Sequence, residues 1–278
     1  ALNVINLKGD EFMKTHIIPK MMEGAWGGTM CLTEAGAGSD VGALRSTAKP
    51  LGNGKYSING TKIFISSGES DLYENNIHLV LARTPSGAEG TKGISLFVVP
   101  RFKINDDGSM GGDNAVVCSK IEHKMGIHAS ATCELQFTNS EGWLIGGEFH
   151  GMETMFIMMN EARLYCGIQG ESQANLAYEM ALKYTKERAQ FGKEIINHPD
   201  VRRNLLRMRA LSRGMRALCL YTGNLFNEAH KDAKYEGIIG LMTPICKAYC
   251  SEQGFQVAVE AVQAHGGYGY CSEYGVEQ

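Results

Sequence analysis

The chain has 278 residues, 44% hydrophobic and 21% charged, with 27 basic against 30 acidic side chains and a net charge of −3. That is an ordinary globular composition, long enough for one large or two moderate cores. The acidic balance, with no basic block, argues against a nucleic-acid binder, and no run approaches the ~18 apolar residues of a membrane helix.

In chain order, Ala1 to Lys20 is mixed in charge, has no signal-peptide core, and reads as the tail of something longer. Met30 to Asp40 follows as Met-Cys-Leu-Thr-Glu-Ala-Gly-Ala-Gly-Ser-Asp. Its Gly36, Ala37 and Gly38 let the backbone approach a ligand closely and aim N–H groups at an anion. Short β-rich runs come next. Lys55 to Asn59 ends at Asn59-Gly60, a hairpin signal, with the strand expected to resume over Thr61 to Ile65. His78 to Arg83, Ile94 to Val99 (closed by Pro100) and Thr132 to Phe137 read as further strands, with a turn at Asp107-Gly108. Short strands without a long helix between them favour an antiparallel barrel or sandwich.

After Gly147 the texture is helical. One helix is predicted over about Met152 to Gln190, with an apolar stripe of Ala177, Met180, Ala181 and Tyr184. A second follows Pro199, where Val201, Leu205, Met208, Leu211, Met215 and Leu218 form a bundle-like seam. The arginines between Arg202 and Arg216 read as a solvated or paired helix face. A third is predicted to begin at Thr243-Pro244, with Thr as cap and Pro in the first turn, and to stop at Gly266-Gly267. Three long helices with short connections indicate an antiparallel bundle. The expected fold class is therefore α+β, a β-barrel or sandwich followed by a helical bundle. The expected divisions are 1–28, 29–147 and 148–278. The eight cysteines show no CxxC, and Cys246 and Cys250, one helical turn apart, read as small core residues. Reduced thiols point to a cytoplasmic or organelle-matrix compartment. The histidines show neither HExxH nor paired ligand spacing, so no metal is expected.

Five segments in order carry a family resemblance: Met30 to Asp40; Asn59 to Ser66 (Asn-Gly-Thr-Lys-Ile-Phe-Ile-Ser); Asn160 to Arg163; Glu187 to Lys193 (Glu-Arg-Ala-Gln-Phe-Gly-Lys); and Gln263 to Tyr270 (Gln-Ala-His-Gly-Gly-Tyr-Gly-Tyr). Together they resemble the middle and C-terminal domains of acyl-CoA dehydrogenases over essentially the whole chain. Leu241 to Lys247 is similar to the long bacterial branch of that family. The resemblance implies FAD as cofactor, with Met30, Leu32, Thr33, Ser39, Phe64 and Ser66 at the flavin. Arg188, Phe191, Gln263 and Gly267 are implied to reach the FAD of a neighbouring subunit, hence a homodimer or homotetramer. Alone, Phe64 and Ser66 would pass as ordinary strand residues, and an isolated Arg-x-x-Phe as a surface pair.

The same resemblance implies an acyl-CoA substrate contacted by Ser39, Asn160 and Arg163. It also implies α,β-dehydrogenation to the trans-2-enoyl-CoA and an electron-transfer flavoprotein as electron acceptor. The base in most members is a glutamate expected beyond Gln278; a minority place it where Ala162 stands, one residue after Glu161. The chain is thus expected to be a fragment, without the N-terminal helical domain and the base segment, and inactive alone. Two alternatives keep the fold, a non-catalytic flavin-binding scaffold and an alkylation-response DNA-binding flavoprotein; the net charge argues against the second.

Overall fold

The computed structural model describes all 278 residues, which divide into two compact units, Ala1–Met158 and Met159–Gln278. The first opens with three short helices: α1 (Leu2–Lys8), α2 (Glu11–His16) and α3 (Ile18–Met22). Asp10 caps α2 by accepting from the Met13 amide at 2.8 Å. The strands follow: β1 (Trp26–Cys31), β2 (Thr47–Gly52), β3 (Lys55–Ser66), β4 (Asn75–Arg83), β5 (Ile94–Pro100), β6 (Phe102–Ile104), β7 (Met110–Asp113), β8 (Val116–Ile121) and β9 (Thr132–Ile145).

β4 is the hub. It pairs antiparallel with β5 and parallel with β1, and touches β2 in parallel through Thr47 and Arg83. β5 pairs with β9, β9 with β3, and β3 with β2, so the circuit closes into a barrel, with β8 added on β9. Closure removes exposed strand edges. β5 is buried along its whole length, and β4 all but its final Arg83, so they read as near-continuous apolar runs and not as alternating ones. Cys31, Ala48, Ile58, Ile65, Val80, Phe97, Val99, Val116, Leu135 and Phe137 fill one core of this unit.

The hairpin expected at Asn59-Gly60 is not there. The turn falls one Asn-Gly earlier, at Asn53-Gly54, where both residues have positive φ (53° and 74°). β3 then runs on through Gly60, where the register against β9 slips and φ is 151°. A Cβ at Gly60 would lie 2.2 Å from the Ser46 hydroxyl, so glycine is required by what packs over it.

The second unit is built from helix α4 (Gly151–Glu187, whose first turns belong to the first unit), a tight hairpin β10 (Ala189–Gln190) and β11 (Lys193–Glu194), then α5 (Pro199–Ala229) and α6 (Lys234–His265). The buried seam of α5 is Leu205, Met208, Ser212, Met215, Cys219, Thr222 and Leu225. Leu211 and Leu218, expected on it, flank it. The expected start of α6 at Thr243-Pro244 is corrected: the helix begins nine residues earlier and carries Pro244 inside. The Thr243 hydroxyl donates to the Ile239 carbonyl at 3.0 Å, and Ile239, Thr243 and Cys246 are all buried. Packing on both sides of the proline overrides its preference to end a helix. No helix is long and apolar enough to cross a membrane.

Candidate functional site

The segment after β1 is fixed by a buried ion pair. Lys62, 0% exposed, donates to Glu34 Oε1 at 2.8 Å and to the Leu32 carbonyl at 3.0 Å. Glu34 also accepts from the Ser46 hydroxyl (2.6 Å), the Ser46 amide (3.0 Å) and the Arg45 amide (2.7 Å). Burial alone would raise the Glu34 carboxyl; Lys62 and these donors outweigh it and hold the group below the ordinary carboxylate range. Burial lowers the Lys62 ammonium from its usual value, opposed by Glu34. Glu34 and Ala37 exchange two backbone hydrogen bonds (3.1 and 3.0 Å), which makes a closed turn with Ala35 and Gly36 exposed at its tip. The Thr33 carbonyl accepts from the Ile63 amide at 2.9 Å, tying the loop to β3.

This arrangement fixes a direction. In a trans peptide the C=O and the following N–H point opposite ways. With the Leu32 carbonyl turned onto Lys62, the Thr33 N–H points away from it. Ser39 is exposed on the same loop, and Met30 is half-buried in β1 opposite Leu79.

A few residues along β3 the register against β9 slips again, between Lys62 and Ile65. Phe64 lies in that bulge with φ 60°, in the left-handed region, and its side chain is 61% exposed. A bulky residue there is a true outlier, of the kind that costs about 1–3 kcal/mol and persists where the surroundings impose it. It turns an aromatic ring outward two residues before Ser66, also exposed.

In the second unit, Arg188, Gln263 and Gly267 line one cavity of about 440 Å³ with Tyr184, Gln190, His265 and Tyr268. Arg188 stands just after the end of α4, its guanidinium 5.7 Å from the Tyr268 ring centre. His265 stacks on Tyr184 at 4.3 Å and bonds the Ala261 carbonyl through Nδ1 at 2.8 Å. Phe191 is at the hairpin tip, 93% exposed, with φ 55° beside Gly192 at 78°. The helix predicted to run to about Gln190 ends at Glu187, and a two-residue hairpin turn presents Phe191.

Asn160 and Arg163 lie elsewhere on α4, about 40 Å along the helix from Glu187 at 1.5 Å per residue. Asn160 Oδ1 accepts from Arg163 (3.3 Å) and lies 3.2 Å from the Thr243 hydroxyl oxygen, whose proton is shared between it and the Ile239 carbonyl. Glu161 and Ala162 are both half-buried on the same helix. Sequence reasoning missed Lys62, Ser46, Tyr184 and Tyr268. One signal for Lys62 was available: with Ile58 and Gly60 it occupies the inward alternation of β3, where a lone lysine requires a counter-charge.

The family model for the acyl-CoA dehydrogenase middle domain matches residues 29–140, and that for the C-terminal domain matches residues 150–278. The chain belongs to the acyl-CoA dehydrogenase family. It is 33% identical to an acyl-CoA dehydrogenase of Bacillus subtilis over 99% of this chain and 68% of the relative. It is 43% identical to 3-methylmercaptopropionyl-CoA dehydrogenase of Ruegeria pomeroyi, of which it spans half the length. Butyryl-CoA dehydrogenase of Megasphaera elsdenii superposes with a TM-score of 0.84 at 28% identity, covering 100% of this chain and 67% of that structure. Acyl-CoA dehydrogenases are FAD flavoproteins of mixed α+β architecture. The clamped loop and outward aromatic of this chain suit a large planar group with hydrogen-bonding edges, and the Arg188 cavity suits an anionic one.

Proposed function

We propose that the protein containing this chain carries out FAD-dependent α,β-dehydrogenation of an acyl-CoA thioester to the trans-2-enoyl-CoA. One observation carries the reading most directly. Phe64 is held in a left-handed conformation with its ring exposed, beside the Ser66 hydroxyl and a loop locked by the Glu34–Lys62 pair. Bound FAD supplies the acceptor for the β-hydrogen, as hydride. Met30, Leu32, Thr33, Ser39, Phe64 and Ser66 are the residues proposed to hold it. Lys62 acts through the Leu32 carbonyl, aiming the Thr33 amide outward as a fixed donor, and a preorganised donor favours negative charge that develops beside it. Arg188, Phe191, Gln263 and Gly267 are proposed to hold the FAD of a neighbouring subunit in a homodimer or homotetramer.

Ser39, Asn160 and Arg163 are proposed to contact the acyl-CoA. Arg163 donates to Asn160 Oδ1, which turns the amide oxygen to the arginine and leaves the Asn160 amide nitrogen as the donor for substrate. The base that takes the α-proton is proposed to be a glutamate beyond Gln278. Glu161 precedes the alternative base position, Ala162, by one residue, a turn of about 100° on the helix, so it faces another way. Electron-transfer flavoprotein is the proposed electron acceptor, in a cytoplasmic or matrix setting.

The test is anaerobic addition of acyl-CoA to the purified full-length protein. The flavin bands should bleach, and Glu161→Gln should bleach as the parent does. A protein without flavin absorbance even after reconstitution with FAD would overturn the reading.

A further inference from the structure

We propose that Cys219, Cys246, Cys250 and Glu171 form a buried site for a thiophilic divalent cation of the zinc class. Cys219 comes from α5, Cys246 and Cys250 from successive turns of α6, and Glu171 from α4. The Cys219 sulfur lies 3.6 Å from that of Cys246 and 3.8 Å from that of Cys250, and all three sulfurs are within 4.8 Å of one another. A tetrahedral ion with metal–sulfur bonds of about 2.3 Å sets its sulfurs about 3.8 Å apart. Two of the three sulfur pairs therefore already stand at the edge length such an ion imposes, and the third lies within about 1 Å of it, whereas a disulfide would need about 2.0 Å.

The fourth donor is independent of the thiols. Glu171 is 8% exposed, and its Oε1 is buried with no hydrogen-bond partner. It follows Gly170 and lies one turn beyond Gly167, the two positions where α4 packs against Cys250 and Cys246, so it stands on the face of α4 turned to the thiols. Packing cysteines as small hydrophobes does not explain a buried carboxylate oxygen left unpaired on the facing helix, because that group costs stability unless something binds it. Room for the cluster is built into α4. A Cβ at Gly167 would lie 2.7 Å from the Cys246 sulfur, and one at Gly170 would lie 2.5 Å from the Cys250 carbonyl. Glycine at these positions lets α6 come close enough for its two thiols to meet the α5 thiol.

A thiol coordinates as its thiolate, so each cysteine gives up a proton on binding. Three S–H bonds are exchanged for three bonds to one divalent ion, and the protons leave to solvent. The product has three thiolates and one carboxylate on the ion, with the same formal charge as a four-thiolate structural site. All four positions are filled by protein, so the ion would brace α4, α5 and α6 and open no position to substrate.

The experiment uses full-length protein stripped by a chelator under a thiol-free reductant and titrated with Cd²⁺. A thiolate-to-metal charge-transfer band saturating at one ion per chain is expected, reversed by excess chelator, with a rise in the unfolding temperature. Cys246→Ser and Cys250→Ser should each weaken uptake by more than the roughly 10–100-fold of losing an outer-shell partner. Glu171→Gln, which keeps every core thiol and so tests the site even where a serine variant does not fold, should weaken it by about 10-fold. Cys118→Ser, in the first unit, should leave the titration unchanged. Absence of the band in the parent, or a band that survives Cys246→Ser or matches the parent in Glu171→Gln, would overturn the site.

Discussion

Lys62 shows how one side chain positions a site it does not enter. Its ammonium is wholly buried and divides its donors between Glu34 and the Leu32 carbonyl. Lys62→Met should cost about 3–5 kcal/mol, because it strands the Glu34 carboxylate. Glu34→Gln combined with Lys62→Met should recover part of that loss, since neither charge then remains. Urea unfolding of the three proteins decides it; a double variant no more stable than Lys62→Met would refute the pair's role. His78 supplies a pH test. Burial, with the Arg101 charge, lowers its imidazole from the usual 6.5 to about 3, and its Nε2 has no partner. The unfolded chain therefore takes up a proton that the folded chain refuses. The corresponding stability is fully present above about pH 6.5 and is lost as pH falls toward 3. At pH 4.5 the deficit is about 2–3 kcal/mol relative to neutral pH. Urea midpoints at pH 7.5 and 4.5 should show this loss in the parent and a smaller one in His78→Asn, whose side chain does not titrate. At this scale Met30 to Asp40 was legible because its residue types encode a close-approach loop. The clamp was not, because it joins position 34 to position 62, and no local pattern announces a partner so far along the chain.

Between Glu187 and Pro199 the chain changes direction through a hairpin whose tip is Phe191-Gly192. Both residues have positive φ, a conformation in which asparagine followed by glycine is favoured and a bulky aromatic is strained. A phenylalanine at that position, almost wholly exposed, is a poor choice for the turn alone. Phe191→Asn should therefore leave the unfolding midpoint unchanged or raised while weakening FAD binding about 5- to 100-fold, the range for a lost aromatic stacking partner of an adenine-like base. Equal FAD affinity in the variant would show that the ring serves something else. The element scale is also where sequence reasoning slipped. Its local preference puts Pro244 in a first turn, yet α6 passes straight through it, because its buried neighbours Thr243 and Cys246 anchor the helix on either side. Asn59-Gly60 carried a genuine turn signal, but Ser46 lying over Gly60 makes that glycine a bulge. In both places a long-range contact outweighed a local preference.

Across the molecule the change from short β runs to long helices was legible because it is written in period and length. Barrel closure was not: the parallel pairing of β1 and β2 with β4 joins segments tens of residues apart. The proposed flavin contacts are likewise split, with Met30 to Ser66 in the first unit and Arg188 to Gly267 in the second. The resemblance assigns the second set to a neighbouring subunit's FAD. If each FAD is gripped by two chains, cofactor binding and subunit association share one free energy, and each must strengthen the other. FAD at 100 times its dissociation constant would add about 2.7 kcal/mol per site to association, close to a 100-fold fall in the subunit dissociation constant. Removing the Arg188 guanidinium should cost about 1.5–3 kcal/mol, the range for a charge-assisted hydrogen bond. Arg188→Ala should therefore lose FAD more readily and show the smaller linkage, while its fold is kept, since the side chain is exposed. Sedimentation of the apo and FAD-loaded full-length protein over a dilution series reads this out. FAD-loaded parent should stay assembled at concentrations where apo protein and Arg188→Ala come apart. Superimposable profiles for the apo and loaded parent at every dilution would place the Arg188 cavity outside any shared cofactor site.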